Sequence, residues 1–293
     1  MIEVNQVHYS YDSTKILHDF SLIVSEKIIV GLWGRNGTGK TTFMKLLAGH
    51  LKPDQGEINI QGFNPYNNDR TNNHVCYMQE DHPFSKLWKV KDALRFGDYY
   101  NPNFDMDFAK ELLTVFNLDE NKNVSRLSKG MKSALQFITG IASNADITIL
   151  DEPTNGLDAG MRKKFNKVLL ESYEENPRLI FLSSHHIEEI QTLCDVLVAI
   201  HKGKVDLHET METMREKGIW LSGEKTTIIN IIQSHTVLEQ QEMGSKMKVM
   251  IDEPYTNEWK DFAQSYGLSI EAAALHDYLL NRTEERNVVN ILT

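Results

Sequence analysis

The sequence predicts an α/β fold with a parallel core sheet, followed by a smaller α+β domain. Three observations support this prediction. A glycine-rich loop at residues 34–42 stands between a strand pattern and a helix pattern. A buried apolar run at 147–150 ends in two carboxylates. Strand and helix patterns alternate up to about residue 210, which is typical of a parallel sheet covered by helices.

The composition is that of a globular protein and narrows the possible partners. The 293 residues are enough for one large domain and a smaller appendage. The net charge of −10 argues against a broad nucleic-acid surface, which needs clustered lysines and arginines. Cys76 and Cys194 stand far apart without a C-x-x-C partner, so neither a zinc site nor a disulfide framework is expected.

The sequence shows no pattern of its own for membrane insertion. Residues 1–10 lack the basic-then-apolar order of a signal peptide. No window approaches the roughly 20 apolar residues that a membrane-spanning helix needs. If the protein works at a membrane, we expect another chain to span it.

The N-terminal residues predict antiparallel strands. Short apolar runs alternate over 1–24 with a break at 10–14, and 57–60 reads as a further strand. Tyr11 lies in the break. It could stack on an adenine ring or pack on the sheet as a turn residue, and by itself the second reading is favoured.

The stretch 34–42 predicts a phosphate-binding loop. It matches G-x-x-x-x-G-K-[ST], with an apolar strand before it and a helix after it. Its glycines let backbone N–H groups point at phosphate oxygens, and the helix N-terminus adds positive potential. Lys40 can reach the β- and γ-phosphates, and the Thr41 hydroxyl can ligate Mg²⁺. The loop residues are Gly34, Arg35, Asn36, Gly37, Thr38, Gly39, Lys40, Thr41 and Thr42.

Two further polar groups are predicted near strand or helix ends. The strand 75–78 ends at Gln79, and an amide beyond a strand's carboxyl end is well placed for a nucleotide crevice. The pattern is helical from Pro83 to Ala145. Within it, the segment 127–131 (Leu-Ser-Lys-Gly-Met) precedes an apolar helix face, and Ser128 suits the N-cap, so this segment could be only a helix start.

The apolar run 147–150 predicts a buried parallel strand that brings Asp151 and Glu152 to the edge of the sheet. An Asp at that position can hold Mg²⁺ through water, which leaves Glu152 to orient or deprotonate a water molecule. A turn follows at 155–158. The next strand, 178–184, ends at His185.

Beyond residue 210 the catalytic signals stop. The patterns predict strands at 219–232 and 247–251 and helices at 258–266 and 275–285. We therefore expect a domain at 1–210, with a helical subdomain at about 82–145, and an accessory α+β domain at 211–293.

Taken together, these motifs resemble the ATP-binding subunit of ABC transporters over residues 1 to about 210. The order is the family's: aromatic residue, phosphate loop, glutamine, LS-x-G, apolar strand with Asp-Glu, Gly-Leu-Asp and histidine. The resemblance implies a phosphate-loop (RecA-like) core with an antiparallel β subdomain and an inserted helical subdomain. It implies an ATPase that uses ATP with Mg²⁺ at the cytoplasmic face of the membrane, beside a separate membrane permease.

The resemblance also assigns roles within one subunit. The loop 34–42 binds the phosphates, Asp151 supports Mg²⁺, and Glu152 is the general base. Gln79 senses Mg²⁺ and the attacking water, and His185 contacts the γ-phosphate. His186 has no counterpart and is expected at the surface of a helix start.

Other roles require a second subunit, because the family's ATPases face each other head to tail. Ser128 and Gly130 of one chain then complete the site over the phosphate loop of the other, and Asp158 lies at the seam. Tyr11 stacks on the adenine. Whether the two chains are identical stays open.

Three departures from the family pattern concern the details. The signature 127–131 ends in Lys-Gly-Met, a form similar to the branch that serves ABC-2-type exporters, including Gram-positive peptide and toxin exporters such as those of phenol-soluble modulins. Ala134 stands where many relatives have Arg. Glu26 and Lys27 occupy a turn that usually has Gly. None of the three removes a catalytic group.

The alternative is an ABC-type ATPase that acts on DNA or ribosomes without a membrane partner. Chromosome ATPases insert long coiled coils before the signature, whereas Lys40 and Ser128 are only 88 positions apart (128 − 40). Ribosome-acting members carry two cassettes, and this chain has one phosphate loop. We therefore favour the transporter subunit.

A docking surface for the membrane subunit is expected at about 80–100, beyond Gln79. Six large apolar side chains fall within 13 positions, more than a small helical subdomain is expected to bury. Each of them taken singly could still belong to the subdomain's own core. Trp88 or Phe84 is the expected anchor for a short helix of the partner. The six are Phe84, Leu87, Trp88, Val90, Leu94 and Phe96.

Overall fold

The computed structural model describes residues 1–79 and 84–283. The chain forms two compact units, Met1–His208 and Glu209–Thr293. The first contains a three-stranded and a six-stranded sheet, and the second a four-stranded sheet. In the described part of the chain, no helix combines the length and apolar character needed to cross a membrane.

Nine strands begin in the first unit. They are β1 (Ile2–Tyr11), β2 (Thr14–Val24), β3 (Ile29–Trp33), β4 (Gln55–Ile60), β5 (Val75–Met78), β6 (Ile147–Leu150), β7 (Leu179–Ser183), β8 (Val196–His201) and β9 (Lys204–Thr210). Strands β2, β1 and β4 form the antiparallel sheet in that order. The β1–β2 connection is two residues, shorter than the predicted break, so Tyr11 ends a strand instead of lying in a loop.

The six-stranded sheet has the order β5-β6-β7-β3-β8-β9. The first five strands pair in parallel. Every residue of β3, β6 and β7 is buried, as expected for strands covered on both faces. Because these three strands are neighbours and parallel, the segments that follow them meet at one edge of the sheet. These segments are the phosphate loop, the acid pair and the His185 loop.

Seven helices accompany these sheets in the described residues. They are α1 (Lys40–Leu47), α2 (Asp69–Asn72), α3 (Val90–Tyr100), α4 (Met106–Val115), α5 (Lys129–Ala142), α6 (Ala159–Glu175) and α7 (Ile187–Leu193). Helices α3, α4 and α5 pack together between β5 and β6 in the sequence. Side-chain caps fix several helix starts: Asp105 accepts from the Phe108 N–H, and Ser128 from the Met131 N–H.

Helix α1 is packed between the two sheets by an aromatic contact on each side. Phe43 is fully buried, and its ring centroid lies 4.6 Å from that of Phe20 in β2 and 6.2 Å from that of Phe181 in β7. Burying a side chain of this size contributes about 1.5–3 kcal/mol. This packing fixes the helix whose first turn ends the phosphate loop.

The second unit is a βαββαβ fold followed by a helix. Its elements are α8 (Met211–Arg215), β10 (Lys217–Glu224), α9 (Lys225–Ile232), β11 (Val237–Met243), β12 (Lys246–Pro254), α10 (Asn257–Ser265), β13 (Ser269–Ala272) and α11 (Leu275–Thr283). The strand order is β11-β12-β10-β13, with every pair antiparallel. This is the ferredoxin-like arrangement.

The sequence-based strand at 219–232 is wrong in its second half. The strand ends at Glu224, and 225–232 form helix α9. Ile228 and Ile231, three positions apart, lie on the buried face of this helix, while Asn230 is exposed. Four isoleucines favour a strand by propensity, but burial of one helix face in the core overrides that preference.

Candidate functional site

The phosphate loop, residues 34–42, depends on glycine at three positions. Gly37 and Gly39 have φ values of 82° and 106°, a region that other residues rarely adopt. At Gly34, a Cβ atom would lie 2.6 Å from the carbonyl oxygen of Ile200. Larger side chains are therefore excluded here, and the loop backbone stays open toward an anion.

Lys40 begins α1 and is buried. Its Nζ donates to the carbonyl oxygens of Gly34 at 2.5 Å and Arg35 at 3.3 Å. Burial lowers the pKa of Lys40, while the negative charges of Glu152 and Asp151 act in the opposite direction. The charge of Lys40 is thus coupled electrostatically to the charges of Asp151 and Glu152 within the chain itself.

Three threonines place hydroxyl groups along the phosphate loop. Thr38 Oγ1 donates to the Arg35 carbonyl oxygen at 2.9 Å, which closes the loop on itself. Thr42 is buried, whereas Thr41 and Asn36 are exposed. Thr41 is therefore an exposed hydroxyl residue among those that line the cleft.

Asp151 follows β6 and is only 1% exposed. Its carboxylate accepts hydrogen bonds from Ser183 Oγ at 2.8 Å and from the Tyr77 hydroxyl at 3.2 Å. The pKa of Tyr77 is raised, chiefly by burial and then by the negative charge of Asp151. The Asp151 side chain is thus held from both sides, by β7 and by β5.

Glu152 has a left-handed backbone, with φ of 48°. For a residue with a side chain this conformation costs on the order of 1–3 kcal/mol and persists only when its surroundings impose it. The Glu152 N–H donates to Ser183 Oγ at 2.8 Å. The Glu152 carboxylate lies 2.8 Å from His185 Nδ1. The strained residue is therefore fixed at both its backbone and its side chain.

A cleft of about 210 Å³ brings Glu152 together with the phosphate loop. Its walls come from the loop, from the start of α1 and from β2. The lining residues are Ile16, Asn36, Gly37, Gly39, Lys40, Thr41, Thr42 and Glu152. A carboxylate thus faces a site that is otherwise built for an anion.

The donor set around the cleft fits Mg²⁺ bound together with phosphate. Within residues 1–79 and 84–283, no group of three or more His, Cys, Asp or Glu side chains could hold a metal ion by itself. Mg²⁺ usually keeps several waters and binds one or two carboxylates plus phosphate oxygens. Thr41 and the firmly held Asp151 are oxygen donors of this kind.

Three predicted residues lie outside the cleft in a single chain. Ser128 is exposed at the N-cap of α5, and a Cβ atom on Gly130 would lie 2.9 Å from the Gly156 carbonyl oxygen. Asp158 is exposed and caps α6 by accepting from the Met161 N–H at 2.8 Å. The signature segment and the 155–158 turn therefore form one shared surface.

Within the described residues, Tyr11, Gln79, Asp151 and His185 are likewise not among those that line the cleft. Asp151 precedes Glu152 in the chain, and His185 contacts the Glu152 carboxylate. Tyr11 is exposed and packs edge-on against Tyr9, with ring centroids 5.0 Å apart. Gln79 directly follows β5 and is partly buried, and the residues at 80–83 lie outside the described part of the chain. His186 is exposed at the start of α7, as expected.

Sequence reasoning missed Ser183 and Tyr77. Both appear in the sequence as ordinary strand residues, yet both hydroxyls bond Asp151. A signal was present, since each hydroxyl stands at or near the carboxyl end of a strand that neighbours the acid-bearing strand. Without strand order, that signal cannot be read.

The chain is similar in sequence to known ATP-binding proteins of ABC transporters. A family model described as "ABC transporter" matches residues 17–155. The chain is 28% identical over 297 residues to the uncharacterized ABC transporter ATP-binding protein YhaQ of Bacillus subtilis (strain 168), covering 96% of this chain and 98% of that protein. It is 30% identical over 208 residues to the bacitracin transport ATP-binding protein BcrA of Bacillus licheniformis, covering 70% of this chain and 68% of that protein.

A solved structure gives the same fold. The dimeric structure of MJ0796, a bacterial ABC transporter cassette, matches with a TM-score of 0.65 at 20% identity. The match covers 72% of this chain and 99% of that chain. At this identity the likeness shows the fold alone, and it confirms the predicted α/β phosphate-loop architecture.

The fold and the site define a phosphate-loop nucleoside triphosphatase. The likeness to BcrA and the matched domain make the assignment narrower: the chain belongs to the family of ABC transporter ATP-binding proteins. It is an ATPase of that family, which binds ATP with Mg²⁺. The predictions of fold class, enzymatic activity and cofactors are confirmed at this level.

Proposed function

We propose that this chain powers an ABC-2-type exporter as one of two ATPase subunits that bind ATP head to tail, at the cytoplasmic face of the membrane beneath separate membrane subunits. The observation that carries the catalytic part is the 2.8 Å contact between His185 Nδ1 and the Glu152 carboxylate, at a cleft that also contains Lys40. A carboxylate held in this way can accept a proton from a water molecule beside the phosphates.

Within one subunit, each group has a separate task. Lys40 and the loop N–H groups bind the phosphates, and Thr41 and Asp151 hold Mg²⁺. Mg²⁺ held by these residues would supply positive charge against the phosphates. Glu152 accepts the proton, and His185 orients Glu152 and lies within reach of the γ-phosphate. Gln79, after β5, monitors the metal and the water.

The exposure of two predicted site residues supports completion of the site by a second subunit. Ser128 and Asp158 are both exposed at helix N-termini, and neither lines its own chain's cleft. A helix N-terminus carries positive potential suited to developing phosphate charge. In a head-to-tail dimer, Ser128 and Gly130 cover the partner's phosphate loop, Asp158 lies at the seam, and Tyr11 stacks on the adenine.

A complementation experiment tests this arrangement. Lys40→Ala damages the phosphate loop, and Ser128→Arg blocks the signature. In a mixed head-to-tail dimer, one of the two sites combines an intact loop with an intact signature. We expect each variant alone to be nearly inactive and the mixture to regain ATP hydrolysis. Each variant mixed with more of itself is the control.

The result separates a composite site from a self-contained one. If the mixture stays as inactive as its components while both variants are folded, the site is not shared between chains. If Ser128→Arg alone keeps parental activity, the signature takes no part in hydrolysis.

The exporter assignment rests on the signature and on one relative. The Lys-Gly-Met ending of segment 127–131 resembles the ABC-2 branch, and BcrA is named for bacitracin transport. A peptide is therefore the cargo class we propose, with phenol-soluble modulins as one candidate. Cargo release from membrane vesicles that contain the full complex, measured with and without ATP, tests both the direction and the cargo.

The proposed docking surface on the helical subdomain consists of exposed aromatic and apolar residues together with the half-buried Trp88. Leu87 is 91% exposed and Tyr99 81% exposed. The rings of Trp88, Phe96 and Tyr100 contact one another in sequence, with centroids 5.1 and 4.5 Å apart. We call these five residues, of which Leu87 is the aliphatic one, the aromatic patch. Lys86 and Lys89 are exposed near it in the sequence, while Arg95 pairs with Asp92. The two lysines suit a short partner helix that carries acidic residues.

The expectation for Phe84 as an anchor is wrong. Phe84 is only 7% exposed, and Val90 and Leu94 are also buried. Phe84 lines a small cavity beside Gly97 together with residues of β5 and α5, so its ring belongs to the subdomain's own core. Residues 80–83 of the predicted docking segment lie outside the described residues.

The corrected test uses the exposed residues. Leu87→Glu and Tyr99→Glu are expected to abolish co-purification of the membrane subunit while ATP binding by the isolated chain is unchanged. Val115→Glu, an exposed apolar position on α4, is the matched control. Retention of the membrane subunit by both patch variants contradicts this surface. Co-purification of ribosomes or DNA in place of a membrane subunit contradicts the transporter assignment.

A further inference from the structure

A buried carboxylate outside the cleft joins two loops of the site. Glu189, on α7, is only 5% exposed. Its Oε2 accepts hydrogen bonds from Thr154 Oγ1 and from Ser184 Oγ, each at 2.8 Å. Its Oε1 lies 3.2 Å from Arg162 Nε on α6. None of these contacts involves the residues to which roles in binding or hydrolysis are assigned above.

The two hydroxyl donors belong to two different loops at the edge of the parallel sheet. Thr154 lies between Glu152 and Asp158, and its carbonyl oxygen accepts from the Leu157 N–H at 3.0 Å. Ser184 immediately precedes His185, and its hydroxyl also accepts from the His186 N–H at 3.0 Å. Each residue is thus bonded within its own loop, and Glu189 Oε2 joins the two hydroxyls.

The charge of Glu189 makes this junction rigid. A buried carboxylate is costly unless it is paired and hydrogen-bonded. Here the two hydroxyls bond Oε2, and Arg162 supplies an opposite charge near Oε1 without a hydrogen bond to it. Hydrogen bonds to an ionised acceptor are stronger than neutral ones. One loop cannot shift against the other without breaking such a bond. A displacement of the His185 loop is therefore passed to the 152–158 segment.

We propose that Glu189 is a positioning residue that couples the His185 loop to the segment carrying Glu152 and Asp158. This inference rests on the proposed function, in which His185 reads the γ-phosphate and Asp158 lies at the seam between subunits. Through Glu189, the presence or absence of the γ-phosphate then changes the position of Asp158 at the seam. Glu189 also keeps Glu152 and His185 in contact for hydrolysis.

The test compares two neighbouring glutamates of α7 in the full chain. Glu189→Gln keeps the volume and one acceptor oxygen, but it removes the charge opposite Arg162. We expect kcat to fall by about 10- to 100-fold with the Kd for Mg-ATP within about twofold, because misplacing catalytic groups affects the chemical step more than binding. Glu188→Gln, exposed on the same helix, is the matched control and should behave as the parent.

A second variant keeps the inference testable if removal of the charge affects folding. Thr154→Val removes only the hydroxyl that donates to Glu189. If both residues act through this one contact, the double variant loses no more kcat than the worse single variant. Additive losses, or a kcat for folded Glu189→Gln within about twofold of the parent, would overturn the inference.

Glu152→Gln, measured in parallel, distinguishes failure of the coupling role from failure of the proposed function. If Glu152→Gln is inactive while Glu189→Gln hydrolyses ATP as the parent does, the coupling role fails and the proposed function stands. If Glu152→Gln also hydrolyses ATP normally, the proposed catalytic site itself is wrong.

Discussion

The two units of this chain use the same hydroxyl-to-carboxylate contact for different ends. In the first unit, Ser183 and Tyr77 donate to Asp151 at the edge of a parallel sheet. In the second unit, the hydroxyl of the buried Tyr278 donates to Asp252 at 2.7 Å, and Arg282 pairs with the same carboxylate. The chemistry of the contact is alike, so its surroundings must decide its role.

The two carboxylates, Asp151 and Asp252, differ in the groups that lie next to them. The Asp151 cluster adjoins a residue with strained backbone, a buried lysine and a glycine loop that is open to an anion. The Asp252 cluster ties α11 to β12 of the antiparallel sheet, and its carboxylate is already paired with a cation. A hydroxyl–carboxylate cluster thus indicates chemistry when it borders strain and an open cleft, and indicates stability when its charges are internally paired.

The largest expected effect tests the first half of this comparison. Glu152→Gln should lower ATP hydrolysis by about 10²- to 10⁴-fold, the usual worth of a general base, while ATP binding is retained. The variant should also accumulate an ATP-bound dimer, seen by size-exclusion chromatography with light scattering. Hydrolysis near the parental rate would remove Glu152 from the role of base.

A smaller effect is expected when the cation of the loop is removed. Lys40→Ala should weaken Mg-ATP binding by about 10- to 100-fold, because charge-assisted contacts to the β- and γ-phosphates are lost. Isothermal titration calorimetry measures the change. Lys45→Ala, five positions along the same helix, is the matched control. Equal affinities for the two variants would contradict the role of Lys40.

The smallest effect on activity is expected in the second unit. Tyr278→Phe removes one hydroxyl from a partly buried cluster and should lower the free energy of unfolding of that unit by about 1–2 kcal/mol. ATP hydrolysis by the folded chain should be unchanged. Chemical denaturation gives the first value and a steady-state ATPase assay the second. Loss of hydrolysis without loss of stability would show that the second unit acts on the site.

The sequence was sufficient where the structure is local. The phosphate loop, its strand and its helix are adjacent in the chain, so motif and apolar pattern predict their arrangement together. The acid pair after β6 was predictable for the same reason. The family resemblance assigned Glu152 and Lys40 to one site, and the cleft contains both.

The sequence was insufficient where contacts span long separations. Ser183 bonds the Glu152 N–H across 31 positions, and Glu189 bonds Thr154 across 35. No local pattern carries such pairings. Helix α9 was predicted as a strand because propensity cannot weigh the burial of one face. Phe84 was predicted as an exposed anchor because an apolar run does not say which members the core takes.

The left-handed backbone at Glu152 also constrains how this position can vary. Glycine or asparagine tolerates φ of 48° far better than glutamate, so either would relieve strain there. If Glu152 is the general base proposed above, stability and turnover favour different residues at position 152. The strain of this glutamate would then be offset by the stability of the rest of the fold.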